Sequence, residues 1–198
     1  MTTKRSTKEK LLEAAAILFY NQGITATGIQ AITERAGVAK MSLYNNFESK
    51  SALVAAYLEA RHNEWLDLYE KRLMLNNSSS PSERILAIFD AYEDHARWDY
   101  ENGFRGCGLL NAAAEFPAGS LERETVRRHK ESIETMIFEA LFELTHDSER
   151  AQLLAKHLSF LLEGAIMRAG LECKSDKTHE AREIAASLLA EIKTLKRS

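Results

Sequence analysis

Apolar residues along this chain recur three and four positions apart, the spacing that gathers them on one face of a helix, and no stretch alternates as a half-buried strand would. The first such stripe, Leu11, Leu12, Ala15, Leu18 and Phe19, follows Ser6 and Glu9, a capping box, and stops at Asn21-Gln22-Gly23. Thr27 is placed to cap a second short helix with Ile29 and Ile32 inward; Gly37 breaks it, and a third short helix runs from about 39 to 46. Ser49 caps a long helix from 50 to about 75. The run Asn76-Asn77-Ser78-Ser79-Ser80-Pro81 is a loop that also starts the next helix, with Ser80 as cap, Pro81 in the first position and Glu83 closing a second capping box. That helix, over about 81–101, carries Ile85, Ile88, Phe89, Tyr92 and Ala96 on one face. Gly103, Gly106 and Gly108 loosen the chain before a short helix through Asn111 to Glu115, and Pro117-Ala118-Gly119 ends it. Helices over about 120–144, 148–169 and 178–195 complete an all-α fold.

Composition agrees with that pattern. Among 198 residues, 45% are hydrophobic and 28% charged, as in an ordinary globular chain, and 9 Gly with 2 Pro are too few for a sandwich or barrel. Lys4, Arg5, Lys8 and Lys10 ahead of an apolar stretch have the outline of a signal peptide, but Glu9 and Glu13 interrupt it with helical periodicity. No apolar run reaches membrane-spanning length, so no membrane association is expected. Cys107 and Cys173 stand far apart, consistent with a reduced, cytoplasmic setting. The six His show no metal-ligand pairing, no metal or cofactor is implied, and His157 reads as a core histidine. No Gly-rich phosphate loop, GxSxG or HExxH occurs, which argues against an enzyme.

Charge is unevenly spread. Residues 1–62 hold 8 Lys and Arg against 5 Asp and Glu, whereas residues 63–198 hold 18 against 24. A small basic module joined to an acidic one fits nucleic-acid contact at one end, or simply a solvated surface. The segment TGIQAITERAGVAKMSLYNNFESK, residues 27–50, then decides what that module resembles. Two short helices meet at Ala36-Gly37-Val38, with Ile29, Ile32, Leu43 and Phe47 spaced to share a core. Lys40, Met41, Ser42, Tyr44 and Asn45 lie on the outer face of the later helix. This is the layout of a helix-turn-helix, although a plain helical hairpin shares the geometry.

Thr27, Ile29, Ile32, Ala36-Gly37-Val38, Ser42-Leu43-Tyr44, Phe47 and Lys50 resemble, in identity and spacing, the DNA-binding domain of the tetracycline-repressor (TetR) family of transcriptional regulators. The resemblance implies about nine helices, three of them in a DNA module (residues 1–50), and an effector-binding and dimerisation domain (residues 51–198). It implies phosphate contacts from Thr27, Tyr44 and Lys50 and base reading by Lys40, Met41 and Asn45, with Gln30 on the preceding helix and Ser42 beside them. Lys4 and Arg5 would follow the backbone or enter a minor groove. Asn46 stands where the family pattern has His, and Gly28 where it has Ser or Thr.

The helix near 148–169 carries two apolar stripes, Leu154-Leu158-Leu161-Ala165 and Leu153-Phe160-Gly164-Met167, and the helix near 178–195 adds Ile184, Ala185, Leu188, Leu189, Ile192 and Leu195. Two such helices per chain suit a homodimer, which would match a palindromic operator in double-stranded DNA; the alternative is a helix buried within a monomer. Between them and the loop, Phe89, Tyr92, His95, Trp98, Phe104, Cys107, Asn111, Glu115, Met136 and Phe138 mix aromatic bulk with scattered polar groups, the make-up of a small-molecule effector pocket. Cys107, Asn111 and Glu115 recur every four residues and share a helix face. Trp65 and Tyr69 read as core or as a link to the DNA module. The function expected is a ligand-responsive repressor released from its operator by an effector; the competing reading is a helical adaptor without DNA binding.

Overall fold

The structure, a computed structural model, describes residues 5–75 and 80–195. Lys4, residues 76–79 of the expected loop and the side chain of Leu195 lie outside the described residues. Among the described residues there are nine helices and no strand: α1 (Thr7–Gln22), α2 (Ile29–Ala36), α3 (Lys40–Asn46), α4 (Lys50–Leu75), α5 (Pro81–Ala96), α6 (Gly108–Ala114), α7 (Leu121–Thr145), α8 (Ser148–Glu172) and α9 (Asp176–Leu195). None of them is long and apolar enough to cross a membrane.

Local chemistry sets most of the boundaries. Both capping boxes form: Ser6 and Ser80 accept from the backbone of Glu9 and Glu83, whose carboxylates reach back to the cap N–H groups. Ser49 accepts from the N–H of Ala52 at 3.1 Å and opens α4. Two ends differ from expectation. Thr27 does not cap α2; Gly28 occupies that position without a side-chain bond, because the Thr27 hydroxyl donates to the Gly23 carbonyl at 2.6 Å. Helix α5 stops at Ala96 rather than near 101, since the 97–103 segment turns and Tyr100 folds back to bond the His95 ring.

The chain forms two compact units, residues 1–62 with 108–126, and residues 63–107 with 127–198. The boundary expected at residue 50 therefore falls within the first unit, which also takes in α6. In that unit α1 packs against α2, α3 and α6, and Leu11, Ala15, Ile32 and Leu43 are wholly shielded from solvent. Phe19 meets the edge of Tyr57 with ring centroids 5.4 Å apart.

In the second unit α5, α8 and α9 pack on one another around Ile85, Ile88, Phe89, Leu162, Ile166 and Leu189. Burying a carboxylate is costly unless it is paired, and here Asp90 accepts from Arg182 Nε at 2.5 Å while Glu93 is paired with Arg97. Of the first stripe of α8, Leu158 and Ala165 are buried but Leu154 and Leu161 only half-buried, the buried face running instead through Leu162 and Ile166; the second stripe, Leu153, Phe160, Gly164 and Met167, is exposed and continues to Leu171. His157, read as a core residue, is exposed.

One close approach governs how α8 meets the 105–106 backbone. A Cβ built on Gly170 would lie 2.4 Å from the Gly106 nitrogen and 2.6 Å from its Cα, and Gly106 itself has φ +84°. Rigid backbone cannot yield as a side chain would, so Gly170→Ala is expected to cost about 1–3 kcal/mol and lower the thermal midpoint. A midpoint equal to that of the parent protein in calorimetry would contradict this packing.

Candidate functional site

The elbow between α2 and α3 is built from one residue that tolerates a left-handed backbone. Gly37 sits at φ +64° and ψ 37°, a conformation in which a Cβ would be strained. Its N–H bonds the Thr33 and Glu34 carbonyls, and the Val38 N–H bonds Thr33 O at 3.0 Å, so the freed end of α2 is satisfied as the chain turns. Helix α3 has seven residues, too few to persist alone in water. It is held by Leu43 (0% exposed) and Phe47 (5%), which anchor its inner face.

The outer face is thereby fixed in direction. Lys40, Met41, Tyr44 and Asn45 are exposed, Met41 at 69%, and Ser42 is half-buried beside them. Gln30 on α2 is also exposed, and its amide donates to Glu34 at 2.8 Å. Asn46 donates from Nδ2 to the Ser42 carbonyl at 2.7 Å, bracing the end of α3. A cation, an amide, a phenol and a thioether on one short helix face are groups suited to phosphates and base edges in a major groove.

Two residues expected to touch DNA sit differently. Thr27 is 1% exposed with its hydroxyl committed to Gly23, so it cannot reach a phosphate. Lys50 is half-buried, and its ammonium donates to the Ile24 carbonyl at 2.6 Å. The same turn is gripped from the other side by Glu115, whose Oε1 accepts from Ile24 N at 2.8 Å and Oε2 from Thr25 N at 2.7 Å. Gly23 (φ +92°) leaves room for that carboxylate, since a Cβ there would lie 3.0 Å from Oε1. Partial burial pushes the Glu115 pKa up. The two backbone N–H groups, the Thr25 side chain and the nearby Lys50 charge outweigh it, and the net shift is downward.

Glu115 thus belongs to the α1–α2 turn, not to a ligand pocket, and Asn111 lies on α6 in the same unit. The remaining effector candidates are in the second unit, and four of them form two groups. Phe104 and Tyr100 pack around His95, with ring centroids 5.7–6.1 Å apart. Tyr92 and Cys107 instead meet Lys130, whose ammonium lies 3.1 Å from the Tyr92 hydroxyl, 3.7 Å from Cys107 Sγ and 2.8 Å from Glu163 Oε1. Phe89 is wholly buried, Met136 and Phe138 are half-buried, and Trp98 is 49% exposed. Trp65 and Tyr69 stack at 5.7 Å, and Trp65 also meets Tyr92 at 5.5 Å and His129 at 5.8 Å.

Lys130 and Glu163 went unnoticed in the sequence, although a signal existed. Lys130 sits four residues after the buried Val126 and three before the buried Ile133, and Glu163 stands between the buried Leu162 and Ile166. Charged groups at apolar positions of an amphipathic helix are a cue to look for a partner. Burial pulls the Lys130 pKa down, but Cys107, Tyr92 and Glu163 around it raise it on balance, and the group stays charged. Burial pushes the Tyr92 phenol up, which keeps it protonated.

Comparison with known proteins gives the following likenesses. Residues 11–57 match the family model described as bacterial regulatory proteins, tetR family. A transcriptional repressor of Mycobacterium tuberculosis, KstR2, is 34% identical over 94 residues, 46% of each chain. An uncharacterized HTH-type transcriptional regulator from the lacX 3' region of Lactococcus lactis is 30% identical over 118 residues, 58% of this chain and 57% of that one. The chain therefore spans about half the length of these curated relatives. The crystal structure of SCO4454, a TetR-family regulator from Streptomyces coelicolor, superposes with a TM-score of 0.84 at 24% identity, covering 94% of this chain and 96% of that one; the fold is shared.

The Glu115 grip has a measurable signature. Glu115→Ala leaves the Ile24 and Thr25 N–H groups without their acceptor and is expected to cost about 1–2 kcal/mol, discounted for the exposed side of the carboxylate. Because the folded pKa lies below the ordinary 4.5, this contribution is complete above that pH and fades as the pH falls through the lower folded value. Thermal melts of parent and Glu115→Ala should converge on acidification below that point; a gap that persists would contradict the assignment.

Proposed function

We propose, from the match of residues 11–57 to the model of tetR-family bacterial regulatory proteins, that the chain is a member of that family and a homodimeric, ligand-responsive repressor whose α3 reads a palindromic operator. The observation that carries the reading is the division of α3 into two faces. Leu43 and Phe47 are buried, which leaves Lys40, Met41, Tyr44 and Asn45 exposed together on a helix of seven residues. In this reading Lys40 and Asn45 meet base edges, Met41 makes apolar contact in the groove, and Gln30 reaches from α2. Tyr44 and Ser42 take phosphate oxygens. Lys50 holds the α1–α2 turn through Ile24 and adds positive charge near the backbone; Thr27 has no contact role.

The exposed stripe Leu153, Phe160, Gly164, Met167 and Leu171 on α8, with the half-exposed Ile184 on α9, supports pairing of two copies through these helices. An apolar stripe of this length is costly to leave in water. A two-fold pair would present two α3 helices to successive major grooves.

Effector binding belongs to the second unit in this reading, with Tyr92, Cys107, His95 and Phe104 near the ligand and Phe89 and Met136 behind them. Two stretches of chain carry its effect to the first unit. Helix α4 has residues in both units, and Cys107 is followed directly by α6, which bears Glu115 at its end. A ligand that favours one arrangement of these stretches by a few kcal/mol suffices to release DNA.

Two measurements test the reading. Lys40→Ala should lose about 1–3 kcal/mol on the preferred operator and much less on unrelated duplex, by fluorescence anisotropy. Equal losses on every sequence would contradict base reading by Lys40. Phe160→Arg should convert the dimer to monomer in analytical ultracentrifugation and weaken operator binding by at least tenfold, whereas an unchanged dimer would place the interface elsewhere.

A further inference from the structure

On α2 the chemistry of two neighbouring side chains fixes which way one of them points. Gln30 and Glu34 stand four residues apart, about one helical turn, and both are exposed. Gln30 Nε2 donates to Glu34 Oε1 at 2.8 Å. An ionised carboxylate only accepts hydrogen bonds, whereas an amide donates at its nitrogen and accepts at its oxygen. The nitrogen end of the Gln30 amide is therefore the end that Glu34 holds. Gln30 Oε1 is the end left for a partner outside the chain.

A carboxylate is a costly neighbour for DNA, because it repels the phosphates that lysine and arginine attract. Helices α1 to α3 hold three of them, Glu9, Glu13 and Glu34. Glu9 closes the capping box of α1, and Glu13 is paired with Arg5. Glu34 differs from both. Its partner is a neutral amide, so its negative charge stays uncompensated beside the residue that reaches from α2 toward a base. What it changes is the direction of that amide.

We propose that Glu34 is a positioning residue that makes Gln30 a reader of amino-bearing bases, adenine or cytosine, at one position of each operator half-site. The proposal deepens the operator reading above and rests on its placing of Gln30 at a base edge. In the major groove adenine presents its N6 amino group and cytosine its N4 amino group, both donors. Guanine presents O6 and N7, and thymine O4, all acceptors. Gln30 Oε1 accepts from the first two and sets lone pairs against the other two. A glutamine free to turn over would present its NH2 to guanine or thymine just as readily, and the position would discriminate little. The amide's second hydrogen is left for adenine N7 or for water, so either amino base fits the arrangement.

The test uses the full chain and random duplexes, with enrichment and sequencing for the parent and for Gln30→Ala, Glu34→Ala and Glu34→Gln. The position that loses its preference in Gln30→Ala is the one Gln30 reads. There the parent should favour adenine or cytosine about tenfold over guanine and thymine, by anisotropy on single-base variants of the selected duplex. Glu34→Ala should reduce that ratio about threefold. It should also tighten binding to unrelated duplex, because a negative charge has left the interface. Lower discrimination with higher affinity is not what a damaged helix would give. Glu34→Gln should reduce the ratio too, since its amide can meet either end of Gln30. In the free protein the Gln30 side-chain NH2 signals, identified by their loss in Gln30→Ala, should shift in the 15N spectrum of Glu34→Ala. A parent preference for guanine or thymine at that position would overturn the proposal. So would NH2 signals that stay in place, a ratio unmoved in both Glu34 variants, or a Gln30→Ala pool identical to that of the parent. Each of these results leaves an enriched operator, and with it the operator reading, intact. A parent pool that stays random overturns the operator reading itself and leaves Glu34 no base to select.

Discussion

A helix of seven residues has no stability of its own, so α3 exists only because Leu43 and Phe47 are buried and Gly37 turns the chain back onto that core. The direction of its outer face follows from this. With Leu43 fully shielded, Lys40, Met41, Tyr44 and Asn45 can point only outward. The α1–α2 turn that precedes α2 is fixed separately. Glu115 accepts from two successive N–H groups, Lys50 donates to the carbonyl between them, and Thr27 closes back on Gly23. Three side chains, one opening α4, one just past the end of α6 and one in the turn itself, thus fix a segment that has no helix of its own.

The second unit relies on a different economy. Its polar interior is tolerated because carboxylates on α5 meet arginines: Asp90 with Arg182, Glu93 with Arg97, and Asp94 in a two-pronged pair with Arg72. Such pairs add geometric definition more than net stability. The Lys130–Glu163 pair differs from these in its setting. It lies beside the Tyr92 ring, whose centre stands 5.2 Å from the Lys130 ammonium.

Much of this was legible in the sequence where the deciding interaction is local. The capping boxes at Ser6 and Ser80, the elbow at Gly37 and the exposed stripe of α8 rest on partners three or four residues apart, and the helix order followed from them. Thr27 misled because its residue type suits a cap, while a nearer acceptor, the Gly23 carbonyl, took its hydroxyl. The end of α5 misled because aromatic residues continue past Ala96, yet Trp98 is half-exposed and Tyr100 returns to His95. Glu115 was out of reach altogether, its partners lying 91 and 90 residues away in sequence with no periodicity to link them. Its helical spacing groups it with Cys107 and Asn111, but the chain passes from one compact unit to the other between Cys107 and Gly108.

The central claim is that two copies of α3 enter duplex DNA on a two-fold axis. Selection of random duplexes by the full chain, followed by sequencing, tests it most directly. The account predicts enrichment of an inverted repeat whose half-sites are offset by a whole number of helical turns, bound with an affinity that falls steeply as salt rises. A pool that stays random after repeated rounds, or a single unpaired half-site bound by one copy, would contradict it.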